Sequence, residues 1–409
     1  MTRNTYRIQD TTIDSVDLKC LVVGRGVKVD RSVYKKYSKS RRLDVNPLTC
    51  NCMIFSDGTI AQLTDMGFHL KYLSGILSWD NLKLLRYASE LTTPFSVRLI
   101  DDQAALCYEN DVLDFVSFPP PTDFYRQRTA AGLPFAGNAV LQGLDWAAFQ
   151  CLWPCEFAYA GKPCEFCFSG GDFETLARKG KPPPAAVSPE DLAEIVRYAV
   201  SETGANSLQI TGGSTADGRA EAEHIIAYLE TLQTGGLVSA QAKRGAELHE
   251  ALLYITPPRE LSLIDRYFTL GATRIACSIE IWDTELAAKV TPGKMSIVGR
   301  KRYVDTLTYA AAKYGPAKAF TNFIIGPEPI ASLRAGAEEM CRRDVLPTAA
   351  VWMPMGRPVL GIMRPPDVDY YRRVKELFAN LYVKYGLMPP ASRGLNVCIE
   401  SDIWAYAHE

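Results

Sequence analysis

Apolar and polar residues alternate along this chain in two different ways, and the change comes near residue 145. Beyond that point, short apolar runs alternate with longer segments in which apolar positions recur every three to four residues. The short runs predict strands buried on both faces, and the longer segments predict amphipathic helices. The predicted strands cover residues 145–152, 207–211, 251–256, 273–280, 319–325 and 348–353. The predicted helices cover residues 188–203, 219–233, 260–269, 297–314, 331–343 and 367–385.

Six consecutive strand–helix units predict a parallel sheet covered by helices, because parallel strands need a crossover connection that is usually a helix. Such a sheet is either open and doubly wound or rolled into a complete or partial barrel. The periodicity leaves both forms open. In both, ligands bind at the carboxyl ends of the strands, so the loops after the strands are the expected place of chemistry.

The region before residue 141 has a mixed pattern without repeats. A strand is predicted for LKCLVVGRGVKV, two strands joined by an Asp57-Gly58 turn for CNCMIFSDGTIAQLT, and a helix for WDNLKLLRYASEL. The stretch SFPPPTDFYRQRTAAGLPF is rich in proline and turn residues and marks a boundary. The predicted division is an accessory α+β domain over 1–140, a barrel domain over 141–385 and a carboxy-terminal tail over 386–409.

Composition places the protein among ordinary globular chains. Its 409 residues are 47% apolar and 22% charged, and the formal net charge is -1. A chain without a basic excess has no general field to attract nucleic acid. No run approaches the roughly 18 apolar residues that cross a bilayer, and the polar amino terminus does not have the pattern of a signal peptide. We therefore expect a cytoplasmic protein without a nucleic-acid or membrane partner.

Four of the eleven cysteines lie together in QCLWPCEFAYAGKPCEFCFSGG, after the first predicted strand of the sheet. They are Cys151, Cys155, Cys164 and Cys167, spaced C-x3-C-x8-C-x2-C. Clustered cysteines in a cytosolic chain indicate metal or redox chemistry more often than disulfides, and an odd total is incompatible with complete pairing. Four thiolates arranged as two closely spaced pairs of cysteines suit a structural zinc ion. Thiolates also suit an iron–sulfur cluster, so the spacing alone leaves both open.

Glycine and polar residues also follow the later predicted strands. ITGGSTADG follows the second, CSIEIWD the fourth, FIIGPEP the fifth and VWMPMGRP the sixth. Ser278 and Glu280 alternate with apolar neighbours, so both point to one face of the fourth strand. A glutamate inside a barrel is costly without a partner, which makes Glu280 a candidate site residue. The shared location of these features at one rim is a stronger indication than any one of them.

CEFC, the glycine-rich segment after it and TGGS one strand later resemble the radical S-adenosylmethionine superfamily. The usual signature of that superfamily is C-x3-C-x-aromatic-C in the loop after the first barrel strand. Phe166 stands at the aromatic position, but the first gap has eight residues instead of three. The resemblance extends over residues 145–385 and implies a partial (β/α)6 barrel, matching the six units counted above. KVTPGK and IGPEP are similar to stretches of biotin-synthase-like and cofactor-maturation enzymes.

The resemblance implies that Cys155, Cys164 and Cys167 bind a [4Fe–4S] cluster, with Cys151 as the alternative first ligand. The residues that would contact S-adenosylmethionine or flank the cluster are Phe166, Gly212, Gly213, Ser214, Ser278, Glu280, Arg300, Ile325 and Gly326. Ser214 replaces the acid that the superfamily places after its two glycines. Arg300 is interpreted either as a partner of the cofactor carboxylate or as solvated surface.

The chemistry that the resemblance implies is reductive cleavage of S-adenosylmethionine, followed by hydrogen abstraction from an unreactive carbon. It implies an electron donor such as flavodoxin or ferredoxin and a substrate that is a small molecule or a peptide. No general base is assigned. The alternatives are an α/β-barrel enzyme of other chemistry and a binding protein, each with a structural zinc site made of four cysteines.

Two further groups of residues have two interpretations each. The cysteines of the amino-terminal region are candidates for an auxiliary metal site or are simply small buried apolar residues; they are Cys20, Cys50, Cys52 and Cys107. Residues after the sixth strand line a substrate pocket or belong to the core; they are Trp352, Met353, Met355 and Arg357.

Overall fold

The structure is a computed structural model. It describes residues 3–37, 52–65, 93–149, 151–239, 248–353, 365–390 and 397–408. The predicted helix WDNLKLLRYASEL, together with Cys50, Met355 and Arg357, lies outside these ranges. Within them, the strands form a seven-stranded sheet, a four-stranded sheet and two hairpins.

The amino-terminal region combines short strands with two helices. Its elements are β1 (Thr5–Ile8), β2 (Thr11–Asp14), α1 (Ser15–Arg25), β3 (Lys28–Val29), α2 (Arg31–Tyr37), β4 (Cys52–Ile54), β5 (Ile60–Gln62), β6 (Phe95–Ile100), β7 (Gln103–Tyr108) and β8 (Asp111–Phe115). The four-stranded sheet has the order β3-β6-β7-β8. The predicted hairpin around Asp57-Gly58 is confirmed, because β4 and β5 pair antiparallel on either side of it.

The strand predicted for LKCLVVGRGVKV is wrong, because most of this run belongs to helix α1. Asp14 caps the helix by accepting the Asp17 amide at 2.9 Å, and the Asp17 carboxylate accepts the Asp14 amide in return. The valines and leucines of α1 are buried, which removes the alternation of polar and apolar faces that identifies a helix at a surface. Capping and tertiary burial therefore outweigh the strand preference of valine.

The barrel region contains most of the regular structure. It begins with a 3-10 turn (Phe124–Arg126), β9 (Ala139–Gln142), β10 (Trp146–Phe149), α3 (Glu156–Tyr159), α4 (Phe168–Arg178), α5 (Pro189–Thr203), β11 (Ser207–Ile210) and α6 (Arg219–Thr234). It continues with β12 (Glu250–Tyr254), α7 (Ser262–Thr269), β13 (Arg274–Ala276), α8 (Thr284–Val290), a π-helix (Lys294–Val298) and α9 (Arg300–Tyr314). It ends with β14 (Ala319–Ile325), α10 (Ile330–Cys341), β15 (Leu346–Val351), α11 (Val368–Tyr385) and α12 (Glu400–Ala407).

Strand order decides between the two forms that periodicity left open. Strands β10 to β15 are parallel and neighbour one another in chain order, whereas a doubly wound sheet reverses its order. The sheet curls into a half-barrel, so the predicted partial barrel is confirmed. Strand β9 adds an antiparallel edge beside β10. The predicted boundary at 140/141 falls inside β9, and the division into domains stays a prediction.

Both chain ends contact the far edge of the half-barrel. The residues around Cys398 pair with β15, through Val351 N–H to Val397 O at 2.9 Å and Ile399 N–H to Ala349 O at 3.0 Å. The buried Lys19 of α1 donates to Cys398 O at 2.8 Å and to the Asp402 carboxylate at 2.7 Å. The described part of the predicted tail is therefore joined to the barrel and to the accessory region.

None of the described helices combines the length and apolar character needed to cross a membrane. The cysteines of the accessory region that the structure describes are buried; they are Cys20, Cys52 and Cys107. Burial suits their interpretation as small apolar residues, and the auxiliary metal site stays an untested prediction.

Candidate active site

One cavity at the carboxyl ends of the parallel strands brings together most of the predicted site residues. Those that line it are Cys151, Cys155, Cys164, Phe166, Cys167, Gly212, Gly213, Ser214, Ser278 and Glu280. They come from the loops after β10 and β11 and from the chain just beyond β13. The remaining predicted residues, Arg300, Ile325 and Gly326, are not among its lining residues.

The long gap between the first two predicted cluster ligands is an ordered element. The short helix α3 begins directly after Cys155, and a turn at Gly161 leads back toward Cys164. The amide of Glu156 donates to Ser214 O at 3.0 Å, and the Glu156 carboxylate accepts the Ala216 amide at 2.7 Å. Helix α3 is thereby attached to the glycine-rich turn after β11.

Cys167 occupies the N-cap of helix α4. Its sulfur accepts the Gly170 amide at 3.3 Å, and the helix dipole favours a thiolate there. Burial raises the pKa of Cys167 to about 11, although the Gly170 hydrogen bond lowers it. Burial also raises the pKa of Cys164, and the positive charge of Lys294 opposes that rise. These thiols favour the protonated form until a metal or cluster binds their sulfurs.

Cys151 differs from the other three cysteines because its thiol already has a backbone partner. It donates to Trp153 O at 2.9 Å. Burial raises its pKa, so the thiol stays protonated. Cys155 lies further along the loop and makes no side-chain hydrogen bond as the N-cap of α3. This difference favours Cys155 over Cys151 as the first cluster ligand. The assignment of that ligand stays a prediction.

The two glycines after β11 are required by the cysteine loop. A Cβ atom on Gly212 would lie 2.1 Å from the Trp153 ring, and one on Gly213 would lie 2.2 Å from the Cys155 amide nitrogen. The Gly213 carbonyl also accepts the indole N–H of Trp153. The resemblance implies that these glycines contact S-adenosylmethionine, and that contact stays a prediction. Here the atoms that approach the two glycines belong to Trp153 and Cys155, so the glycines position the cysteines.

The thiols offer a donor set for a cluster. Across the residues that the structure describes, no three His, Cys, Asp or Glu side chains are gathered where one metal ion could sit. Four soft sulfur donors nevertheless line one cavity, and a multi-iron cluster spans more space than a single ion. The residues present therefore fit an iron–sulfur cluster by donor type and by location.

The chain beyond β13 contributes a polar group opposite the cysteines. Glu280 has φ +69°, a strained value for a residue other than glycine. Two backbone hydrogen bonds hold it there: its amide donates to Asn322 O at 2.8 Å, and its carbonyl accepts the Ile324 amide at 2.9 Å. Its carboxylate accepts the Lys294 ammonium at 2.8 Å. The Ser278 hydroxyl is buried and has no hydrogen-bond partner within the described ranges. Such a hydroxyl is available to a polar group of a ligand.

Three of the predicted site residues contact parts of the protein outside the cavity lining. The Arg300 guanidinium donates to the carbonyls of Trp282 and Ile281, the latter at 3.0 Å, and stacks 4.9 Å from the Trp282 ring centroid. It therefore fixes the loop after β13, is half-buried, and does not line the cavity. Ile325 is fully buried, and Gly326 donates its amide to the Tyr370 hydroxyl at 3.1 Å. Their contact with S-adenosylmethionine stays a prediction.

Apolar residues form one border of the cavity. Phe166 packs against a small cluster of Ile281, Ile324 and Trp352. Trp352 is buried, and Met353 packs against the main core. Of the two interpretations of this stretch, the described residues follow the core one.

Two titratable residues of the cavity wall, Glu221 and Lys294, were not predicted from the sequence. Glu221 is buried at the start of α6, accepts the Thr256 amide at 2.7 Å and lies near the Thr215 hydroxyl. Burial raises its pKa to about 8. Lys294 belongs to KVTPGK, a stretch noted only for its likeness to other enzymes. No local pattern identifies either residue, because each reaches the cavity through tertiary contacts.

Comparison with known proteins gives one sequence match and several structural ones. No family model matches the chain. The bacteriochlorophyllide c C-7(1)-hydroxylase of Chlorobaculum limnaeum is 25% identical over 198 residues, which are 48% of this chain and 48% of that protein. The match thus spans about half the length of this curated relative.

Solved structures of similar architecture have low sequence identity. Methylornithine synthase (PylB) has a TM-score of 0.42 and 15% identity over 64% of this chain and 76% of its own. A radical SAM methyltransferase from Sphaerobacter thermophilus has a TM-score of 0.40 and 13% identity over 82% and 91%. Streptococcus suis SuiB has a TM-score of 0.41 and 13% identity over 59% and 47%.

The sequence match agrees with the resemblance to the radical S-adenosylmethionine superfamily that the cysteine loop and the TGGS turn carry. The cluster of this protein, its substrate and its reaction are the subject of the proposal that follows.

Proposed function

We propose that this protein uses a [4Fe–4S] cluster on Cys155, Cys164 and Cys167 to cleave S-adenosylmethionine reductively and start radical chemistry by hydrogen abstraction. The observation that carries the proposal is the convergence of these three thiols with Ser278 and Glu280 on one cavity at the carboxyl ends of a parallel half-barrel. The cluster and S-adenosylmethionine would supply the radical. The substrate is proposed to be a small molecule or a peptide, and the electron donor a flavodoxin or ferredoxin.

The residues of the chain have separate tasks in this proposal. The three cysteines provide the sulfur donors, and the Gly170 amide stabilises the thiolate form of Cys167. The buried Ser278 hydroxyl, which is 8% exposed, offers a hydrogen bond to a polar group of the cofactor. Phe166 covers one side of the cavity with apolar surface and excludes water from it.

Anaerobic reconstitution with iron and sulfide tests the proposal. We expect about four irons per chain, a broad absorbance band that dithionite bleaches, and 5′-deoxyadenosine when S-adenosylmethionine and a reductant are added. Changing Cys155, Cys164 or Cys167 to Ala should abolish both iron retention and 5′-deoxyadenosine formation. Cys341→Ala is the matched control, because this buried thiol lies in α10 and does not line the cavity.

Two results would contradict the proposal. A colourless protein that takes up one zinc ion and no iron would favour the alternative of a structural zinc site made of four cysteines. Full cleavage of S-adenosylmethionine after loss of any one of the three thiols would reject the ligand set. Cys151→Ala separates the two candidate first ligands, since it should leave the iron content unchanged if Cys155 is the ligand.

A further inference from the structure

The extended cysteine loop packs against residues 290–296, which include Lys294. The Glu165 amide donates to Val290 O at 2.9 Å, and the Lys162 ammonium donates to the Ser296 hydroxyl at 3.1 Å. A Cβ atom on Gly293 would lie only 2.6 Å from Lys162 O. The two backbones therefore lie close together at Gly293, and Lys162 of the eight-residue gap forms this contact.

This contact places Lys294 at the cavity wall. Its ammonium donates to Ser278 O at 2.7 Å and to the Glu280 carboxylate at 2.8 Å, with 13% of its side chain exposed. Burial lowers the pKa of Lys294, but the charge and hydrogen bond of Glu280, together with smaller influences of neighbouring groups, outweigh burial and raise that pKa above its usual value, so the ammonium stays charged. Of the described Lys and Arg side chains, it is the one that lines this cavity.

Lys294 and Glu280 carry opposite charges and line the same cavity as Cys164 and Cys167. Both charges are partly buried, and charge–charge interactions are screened less at partly buried positions than at the surface.

We propose that Lys294 and Glu280 set the reduction potential of the cluster, and that the extended cysteine loop keeps Lys294 in place for this task. The inference rests on the proposed function. When the electron donor passes one electron to a cluster held by three thiolates, the negative charge of the site increases and no bond need break. A fixed ammonium stabilises that added charge and raises the potential, and a carboxylate lowers it.

A redox titration of the reconstituted protein, followed by electron paramagnetic resonance without S-adenosylmethionine, measures this effect. Lys294→Gln should lower the equilibrium constant for one-electron reduction at least tenfold, which is about 59 mV. Glu280→Gln should shift it in the opposite direction, and Lys294→Arg should stay near the parent protein. Lys301→Gln is the control, because this exposed cation pairs with Asp305 on the outside of α9 and should change nothing.

The outcomes separate the inference from the function on which it rests. Unchanged potentials in Lys294→Gln and Glu280→Gln, with intact clusters, would overturn the inference. Loss of the cluster in both Lys294 variants would assign this residue a packing role and also overturn it. Loss in Lys294→Gln but retention in Lys294→Arg would support a requirement for the charge. A parent protein without a four-iron cluster would refute the proposed function itself.

Discussion

Gly213 offers a direct test of the idea that the glycines after β11 position the cysteine loop. An added methyl group at this residue would lie 2.2 Å from the amide nitrogen and 2.3 Å from the Cα of Cys155, and 2.3 Å from the carbonyl carbon of Pro154. These are backbone atoms, so no rotation of a side chain can relieve the overlap. Gly213→Ala must therefore displace the loop or the turn beneath it.

The loss of stability expected in Gly213→Ala follows from the cost of overpacking a protein interior. Inserting one methyl group into a well-packed interior costs about 1–3 kcal/mol. We expect the upper part of this range, because three backbone atoms lie within 2.3 Å of the new carbon. The loop that moves carries Cys155, so we also expect the reconstituted variant to retain much less iron than the parent protein.

Urea unfolding of the cluster-free protein, followed by tryptophan fluorescence, measures the first effect, and iron analysis after reconstitution measures the second. Gly235→Ala is the control: its φ is -78°, and the nearest atom to its added carbon is the end of the flexible Arg197 side chain at 3.2 Å. This control should stay within about 0.5 kcal/mol of the parent. A Gly213→Ala protein with parental stability and a full complement of iron would refute the packing argument.

Two further predictions concern buried charges. Lys375→Met should reduce the free energy of unfolding by about 3 kcal/mol, the lower end of the range for a broken buried pair, since Asp14 loses the ammonium 2.5 Å away and Asp17 keeps only Arg372, at 3.3 Å. Lys301→Met, in an exposed pair, should cost at most about 1 kcal/mol, and equal losses in urea unfolding would contradict the reasoning. Burial raises the pKa of Glu221 from 4.5 to about 8, so the cluster-free protein should lose stability as pH rises through this window while Glu221→Gln does not. Parallel pH profiles of the two proteins would rule out a raised pKa.

Local sequence patterns predicted much of the barrel because they record local interactions. The predicted strand 319–325 has the bounds of β14. Helix α5 follows the predicted range 188–203 closely, because Ser188 caps it by accepting the Asp191 amide at 3.1 Å. The strand predicted for 273–280 ends early, at Ala276, because the chain leaves the regular ladder and turns through the positive φ of Glu280. A positive φ at a residue other than glycine can seldom be predicted from the sequence.

The sequence by itself determined the alternation of strands and helices, the cysteine donors and their spacing, and the glycine turn beside them. Only the tertiary structure decided that the sheet is a half-barrel, that α1 is a helix, and that Arg300 supports a loop away from the cavity. It also brought Lys294 to Cys164, which lies far earlier in the chain. Periodicity and capping report on neighbours along the chain, whereas these contacts depend on how loops pack against one another after folding.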